Sequence, residues 1–319
     1  MKLNLGLFSL LILAMLAALF AGKIWVPVDE IFGGGRGALI IAELRTPRII
    51  LGVIIGGALG LSGAVMQGYL RNPLADPGLF GVSSGAALGA VIAIFWGLAG
   101  EIWALPLFAL IGAGGSMALL GMLAGRSGSL ILITLGGVML STLTGSLTAL
   151  VISLAPTPFA TSQIITWLMG ALSDRSWSDV YIAAPLIFIG MMILFATARA
   201  LDVLTLGDVV ARSMGVDMVR LQWQVILGTG ICVGAAVAAA GVIGFVGLMV
   251  PHIIRPFVGH RPSALLLPSA LAGAILIISS DALVRILPTV SELRLGIAMT
   301  MLGTPFFLFL LFKMRRGIM

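Results

Sequence analysis

Four charged side chains, Asp202, Asp208, Arg212 and Asp217, fall at helix-compatible spacing in the segment LDVLTLGDVVARSMGVD, Leu201 to Asp217, between two apolar stretches. Residues of these types recognise another protein through charge-assisted hydrogen bonds. In a chain that otherwise looks membrane-bound, the segment reads as a short helix outside the bilayer on which a partner docks. Covalent chemistry finds less support. The run Gly33-Gly34-Gly35-Arg36-Gly37 is glycine-rich but lacks the lysine-hydroxyl ending of a phosphate cradle, so this chain is not expected to hydrolyse ATP. His252 and His260 have no cysteine or carboxylate at metal-ligand spacing beside them, so no metal site is expected. The single cysteine, Cys232, lies in an apolar segment, which excludes an intrachain disulfide and a thiolate cluster.

Two further polar clusters stand out. Arg45-Thr46-Pro47-Arg48 introduces a long apolar run, with Pro47 suited to a first helical turn. Arg45, Arg48 and Arg285 read either as interface anchors or as outer cationic knobs that grip carboxylates of a soluble partner. The segment Arg71-Asn72-Pro73-Leu74-Ala75-Asp76-Pro77-Gly78 is a rigid connection, ordinarily a turn. Between two glycine-striped helices it is also placed to fold inward and close a passage.

The elements that position these residues follow from composition. A mean hydropathy of +1.19, 60% hydrophobic and 9% charged residues place the chain among polytopic membrane proteins. The net charge of +6 is spread over helix ends and forms no dense run, so nucleic acid is not an expected partner. Apolar runs between charges predict spans near 3–22, 47–68, 79–97, 102–124, 129–154, 179–198, 221–242, 244–258, 265–285 and 295–312. The whole chain, 1–319, is then a single transmembrane domain in contact with lipid, with Leu3 to Phe20 an uncleaved first span.

With the amino terminus inside, the inner face receives Lys2, Arg71, Arg126, Arg199, Arg212, Arg220, Arg255, Arg261, Lys313, Arg315 and Arg316. The outer face receives Lys23, Arg36, Arg45, Arg48, Arg175, Arg285 and Arg294. The positive-inside rule favours this orientation, with both termini cytoplasmic. Gly52, Gly56, Gly60, Ala64 and Gly68 form a small-residue stripe for close helix packing, as do Gly81, Gly85 and Gly89. The connection Ala155 to Asp179 is expected to hold a short helix near the outer face. Asp281 and Glu292 sit near outer span ends with the other outer carboxylates, so an ion-coupled carrier or channel, the alternative class, lacks an evident midplane charge. An intramembrane enzyme would need a nucleophile or metal pair that the sequence does not offer.

Four long stretches, RTPRIILGVIIGGALGLSGAVMQGYLRNPLADPGLFGVSSGAALGA (Arg45 to Ala90), LTLGDVVARSMGV (Leu204 to Val216), GVIGFVGLMVPHIIR (Gly241 to Arg255) and ELRLGIAMTMLGTPFFLFLL near the end, resemble the FecCD-type permeases. These are membrane subunits of ABC importers for iron-siderophores, haem and cobalamin. The resemblance covers nearly the whole chain. It implies an all-α type II importer fold of about ten transmembrane helices in a bacterial inner membrane. It also implies a homodimer, two ATP-binding cassette subunits that hold the ATP and Mg, and a periplasmic substrate-binding protein. By position, Leu206, Gly207, Asp208, Ala211, Arg212, Ser213, Met214 and Gly215 match the ATPase-coupling helices. Arg45, Arg48 and Arg285 match arginines that grip the binding protein, and Asn72 and Leu74 match a cytoplasmic gate. The family's second gate uses hydroxyl residues at the start of the fifth span, and the matching positions here are Leu130 and Ile131, with Ser129 beside them. Arg294 stands where the family usually has proline.

Overall fold

The computed structural model describes residues 2–23, 26–27, 35–125, 130–259, 261–288 and 292–318. Gly33, Gly34, Arg126, Ser129 and His260 lie outside them. The described residues form helices and no strand. Helix α1 is Lys2–Phe20, and α2, Thr46–Tyr69, continues without a break from a helical turn at Arg36–Leu39 and a π-helical stretch at Ile40–Arg45. Then come α3 (Val82–Phe95), α4 (Ala104–Ala124), α5 (Leu130–Ser153), α6 (Pro158–Leu168) and α7 (Trp177–Phe195). The chain ends with α8 (Ala198–Leu204), α9 (Asp208–Ser213), α10 (Met218–Ala240), α11 (Val246–Ile254), α12 (Pro262–Ile286) and α13 (Leu295–Ile318).

Seven helical stretches among the described residues are long and apolar enough to cross a membrane, and three more are shorter. The ten expected spans are therefore all helical, with two changed in character. The stretch predicted at 244–258 contracts to α11 and a 3₁₀ turn at Arg255–Phe257. At about 1.5 Å per residue its nine residues reach about 14 Å, well short of the hydrocarbon core. Phe245, at φ +68°, precedes the helix, and Val246 to Pro251 are buried, so α11 is an internal half-helix. The stretch predicted at 79–97 likewise contracts to the 14 residues of α3. The expected short helix between the fifth and sixth spans is α6, started by Thr157, whose hydroxyl accepts from Ala160 N.

Helix α2 is the axis of the molecule, with 83% of its apolar window buried, and it packs on α12, α11, α7 and α10. The glycine stripe explains the contact. A Cβ on Gly56 would strike the Gly273 carbonyl, and one on Gly60 would strike that of Ser269, so at both positions the α2 backbone runs against α12 at a distance no larger residue permits. By contrast α1 and α5 expose most of their surface, as helices that meet lipid or another chain do.

Candidate functional site

The charged residues collect at the two ends of α2. At its start, Arg48 makes a bidentate pair with Asp281 of α12: Nε donates to Oδ1 and Oδ2 at 3.1 and 3.0 Å, and Nη2 to Oδ1 at 2.8 Å. Nη2 also donates to Glu292 at 2.9 Å. Arg285 lies one turn along α12 from Asp281 and completes the lattice with an ion pair at 3.2 Å. Its other nitrogens, with Nη1 of Arg45, reach the end of α1. Arg285 donates to the carbonyls of Ala21 and Ala18 at 3.0 Å each, and Arg45 to that of Leu19 at 2.6 Å. The last carbonyls of a helix lack intrahelical partners, and these guanidinium groups supply them.

This corrects one expectation. Arg45, Arg48 and Arg285 are not exposed knobs, since Arg45 and Arg285 are buried and the Arg48 side chain is only 12% exposed. The sequence reading missed their partners: Asp281 stands 233 positions from Arg48, a separation that no local pattern reveals.

At the far end of α2 the loop Arg71 to Gly78 is folded on itself. The Asn72 side chain accepts from Leu74 N at 2.9 Å, and Asp76 accepts from Gly78 N at 2.8 Å. Asn72 is exposed and Leu74 half-buried. The loop then packs inward: Ala75 and Phe80 are buried, and Pro77 sits where a Cβ on Gly247 of α11 would be. A Cβ on Gly81 would lie 2.8 Å from Leu140 Cβ, so this segment meets α5 about two and a half turns beyond Ile131, which is 70% exposed. Leu130 opens α5.

Beside that loop stand the residues matched to coupling. The sequence suggested one short helix, and the structure has two: α8 ends at Leu204 with Thr205 as its C-cap, and α9 starts after Gly207, whose φ is +103°. Asp202 of α8 docks this unit on the start of α12, accepting from Ser263 N and Oγ at 2.8 and 2.6 Å and pairing with Arg261 at 3.3 Å. Asp217 caps α10, its Oδ1 accepting from Val219 N and Arg220 N at 3.0 Å. Ala211 is buried and holds α9 down, while Arg212, Ser213, Met214 and Gly215 are exposed. Leu206 is 62% and Val209 83% exposed beside them. Val209, which sequence inspection passed over, is the most prominent apolar side chain of this surface. Arg71 pairs with Asp208 at 2.9 Å and joins loop to helix.

A polar cluster inside the chain was also missed. Gln67 of α2 is buried, donates to the carbonyls of Gly247 and Leu248 at 3.3 and 3.2 Å, and accepts from Arg255. His252 packs edge-on to Phe306 at 6.1 Å, and among the described residues no three His, Cys, Asp or Glu side chains gather as a metal set.

One end of the molecule therefore carries buried arginine–carboxylate pairs and the other an exposed, mixed apolar and charged helix. Comparison with known proteins gives this arrangement a family. The FecCD transport family matches residues 10–313, and the chain belongs to it. It is 38% identical over 317 residues to the vitamin B12 import system permease protein BtuC of Salmonella paratyphi A, covering 98% of this chain and 95% of that one. It is 34% identical over 330 residues to the ABC transporter permease protein YvrB of Bacillus subtilis, covering 97% and 93%. Among solved structures it is similar to a metal-chelate type ABC transporter in an inward-facing conformation, with a TM-score of 0.90 and 32% identity over 98% of this chain and 99% of that one. PsaBC from Streptococcus pneumoniae, at 14% identity and a TM-score of 0.56, shares the fold alone. The protein is a multi-pass membrane permease of the ABC importer class.

Proposed function

We propose that this chain is the conduit of a binding-protein-dependent importer of a metal chelate, an iron chelate before a corrinoid, and that ATP and Mg are held by separate subunits. Two copies enclose the passage, two ATP-binding cassette subunits take α9 at the inner face, and the binding protein sits over the Arg48 end. Both termini are cytoplasmic in this reading. The relatives' printed roles, vitamin B12 import and metal-chelate transport, supply the cargo class.

The observation that carries the reading is the separation of the two ends. Helix α2 spans its 24 residues, about 36 Å, between Arg48 and the Arg71 to Asp208 contact, which is the thickness that a motor on one side and a delivery protein on the other require. Buried Asp281 is neutralised by Arg48 and Arg285, so it offers an ion-coupled carrier no free carboxylate. The test is chelate-stimulated ATP turnover by the assembled complex in proteoliposomes. Arg212→Glu abolishes stimulation while assembly of the folded permease persists; stimulation at the wild-type level defeats the reading.

A further inference from the structure

Helix α11 carries a proline in its middle, and the consequence falls on α2. Pro251 has no N–H to give to the carbonyl four residues back, that of Gly247, so this turn of the helix is left open in the buried interior. A proline is tolerated in a helix within a membrane protein where a neighbouring side chain supplies the missing donor. Gln67 of α2 does so: its Nε2 donates to the carbonyls of Gly247 and Leu248 at 3.3 and 3.2 Å.

The other end of the amide is taken as well. Oε1 accepts from Arg255, the residue that closes α11, and Arg255 has no ion pair among the described residues. A guanidinium only donates, so Oε1 must face Arg255 and Nε2 the two carbonyls, and the amide fits in one orientation. Gln67 is 2% exposed. One turn before it Gly63 brings the two backbones together, since a Cβ there would strike the Gly247 oxygen.

Gly247 is also where α11 meets the loop that follows α2. A Cβ on it would strike the ring of Pro77, next to the turn that Asp76 caps. At the entry to α11, Phe245 has φ +68° and places its ring where a Cβ on Gly303 of α13 would sit. The loop thus leans, through Pro77, on a turn of α11 whose own backbone bond is missing and whose substitute comes from α2.

We propose that Gln67 is a positioning residue for the loop Arg71 to Gly78: its side-chain amide stands in for the helix bond that Pro251 removes, and so sets where α11 presents Gly247 to Pro77. Arg255 gives the clamp a second point, so one side chain holds both the open turn and the end of the half-helix. Loss of the amide frees that turn, and the loop loses the surface on which it packs. The proposal rests on the reading of the chain as a permease, which gives the loop a passage to close.

The test reads the loop through a cysteine at Ala75, which is buried, in the full chain in membrane vesicles; the native Cys232 is buried and adds little background. In inside-out vesicles a membrane-impermeant maleimide is expected to label Ala75→Cys slowly, and about tenfold faster once Gln67→Met is added. Pro251→Ala returns an N–H to the Gly247 carbonyl, so in the Gln67→Met chain it should bring the rate back to within about threefold of the starting one. A merely space-filling Gln67 would give no such relief, because Pro251→Ala restores a hydrogen bond and no volume. Equal labelling with and without Gln67→Met overturns the proposal, and so does fast labelling that Pro251→Ala leaves unchanged. Where Gln67→Met does not elute as wild type on gel filtration, Gln67→Glu takes its place in both measurements with the same expected results. It keeps the size and an acceptor for Arg255 but, ionised, cannot donate to the carbonyls. Failure of the permease topology is separate: Ser213→Cys, on the exposed face of α9, is then labelled in right-side-out vesicles and not in inside-out ones, and the Ala75→Cys rates are compared from that side.

Discussion

Arg71 Nη2 lies 2.9 Å from Asp208 Oδ1, joining the loop that ends α2 to the first residue of the exposed helix α9. Both side chains are substantially exposed, at 37% and 50%, so the pair adds only about 0.5 kcal/mol to stability. Its importance is geometric. One ion pair ties the loop that holds Asn72 and Leu74 to α9.

Arg71→Ala and Asp208→Ala should therefore leave the melting temperature within about 2 °C of wild type while lowering chelate-stimulated ATP turnover by about tenfold. Their effects on turnover are expected to be non-additive, and the exchange Arg71→Asp with Asp208→Arg should restore part of it. Additive losses in the double-mutant cycle would show that the two residues act separately.

Arg48 presents the opposite energetics. Its partner Asp281 is buried, and removing one member of a buried pair costs about 3 to 5 kcal/mol because the other charge is stranded. Arg48→Ala should destabilise the permease strongly in thermal denaturation, and Arg48→Lys, which keeps a cation beside Asp281, should recover part of the loss. A harmless Arg48→Ala would mean that Arg285 alone satisfies Asp281.

The close contact of α2 and α12 gives a paired test of packing. Gly60→Val places a side chain on the Ser269 carbonyl and should prevent stable folding in detergent. Gly145→Ala on α5, where nothing lies within 4 Å, should be neutral or slightly stabilising through helix propensity. Equal stability of the two variants would refute the packing of α2 on α12.

On the exposed face of α9, proposed to take the ATPase subunit, Val209 is a stronger anchor candidate than any charge beside it, being 83% exposed and apolar. Val209→Asp should weaken co-purification of the ATPase subunit at least tenfold without changing the permease melting curve. Undiminished co-purification would place the contact elsewhere.

How far sequence alone reached can be seen from particular elements. The bounds of α2 were predicted as 47–68 and observed as Thr46–Tyr69, because charges and prolines mark where apolar runs leave the bilayer. Helix α11 was overestimated, since an internal half-helix and a lipid-crossing one are equally apolar and differ only in what surrounds them. The polar segment 201–217 was legible as a surface unit, while its division at Gly207 depended on a backbone angle. The burial of Arg45, Arg48 and Arg285 was hidden for another reason: Arg48 pairs with Asp281 and Glu292, and Arg45 and Arg285 hold carbonyls at the end of α1, all distant in sequence from them. Lone arginines at a helix start look exposed until those partners are in place.

The proposed mechanism requires the two ends of α2 to face opposite sides of the membrane. The one native cysteine, Cys232, is buried, so introduced cysteines can be labelled over a low background. In intact cells whose outer membrane has been made permeable, a membrane-impermeant maleimide should label Asp174→Cys but not Val209→Cys. After the inner membrane is opened, Val209→Cys should label as well, and the bound ATPase subunit should protect it. Labelling of Val209→Cys in sealed cells, on the same side as Asp174→Cys, would contradict the account.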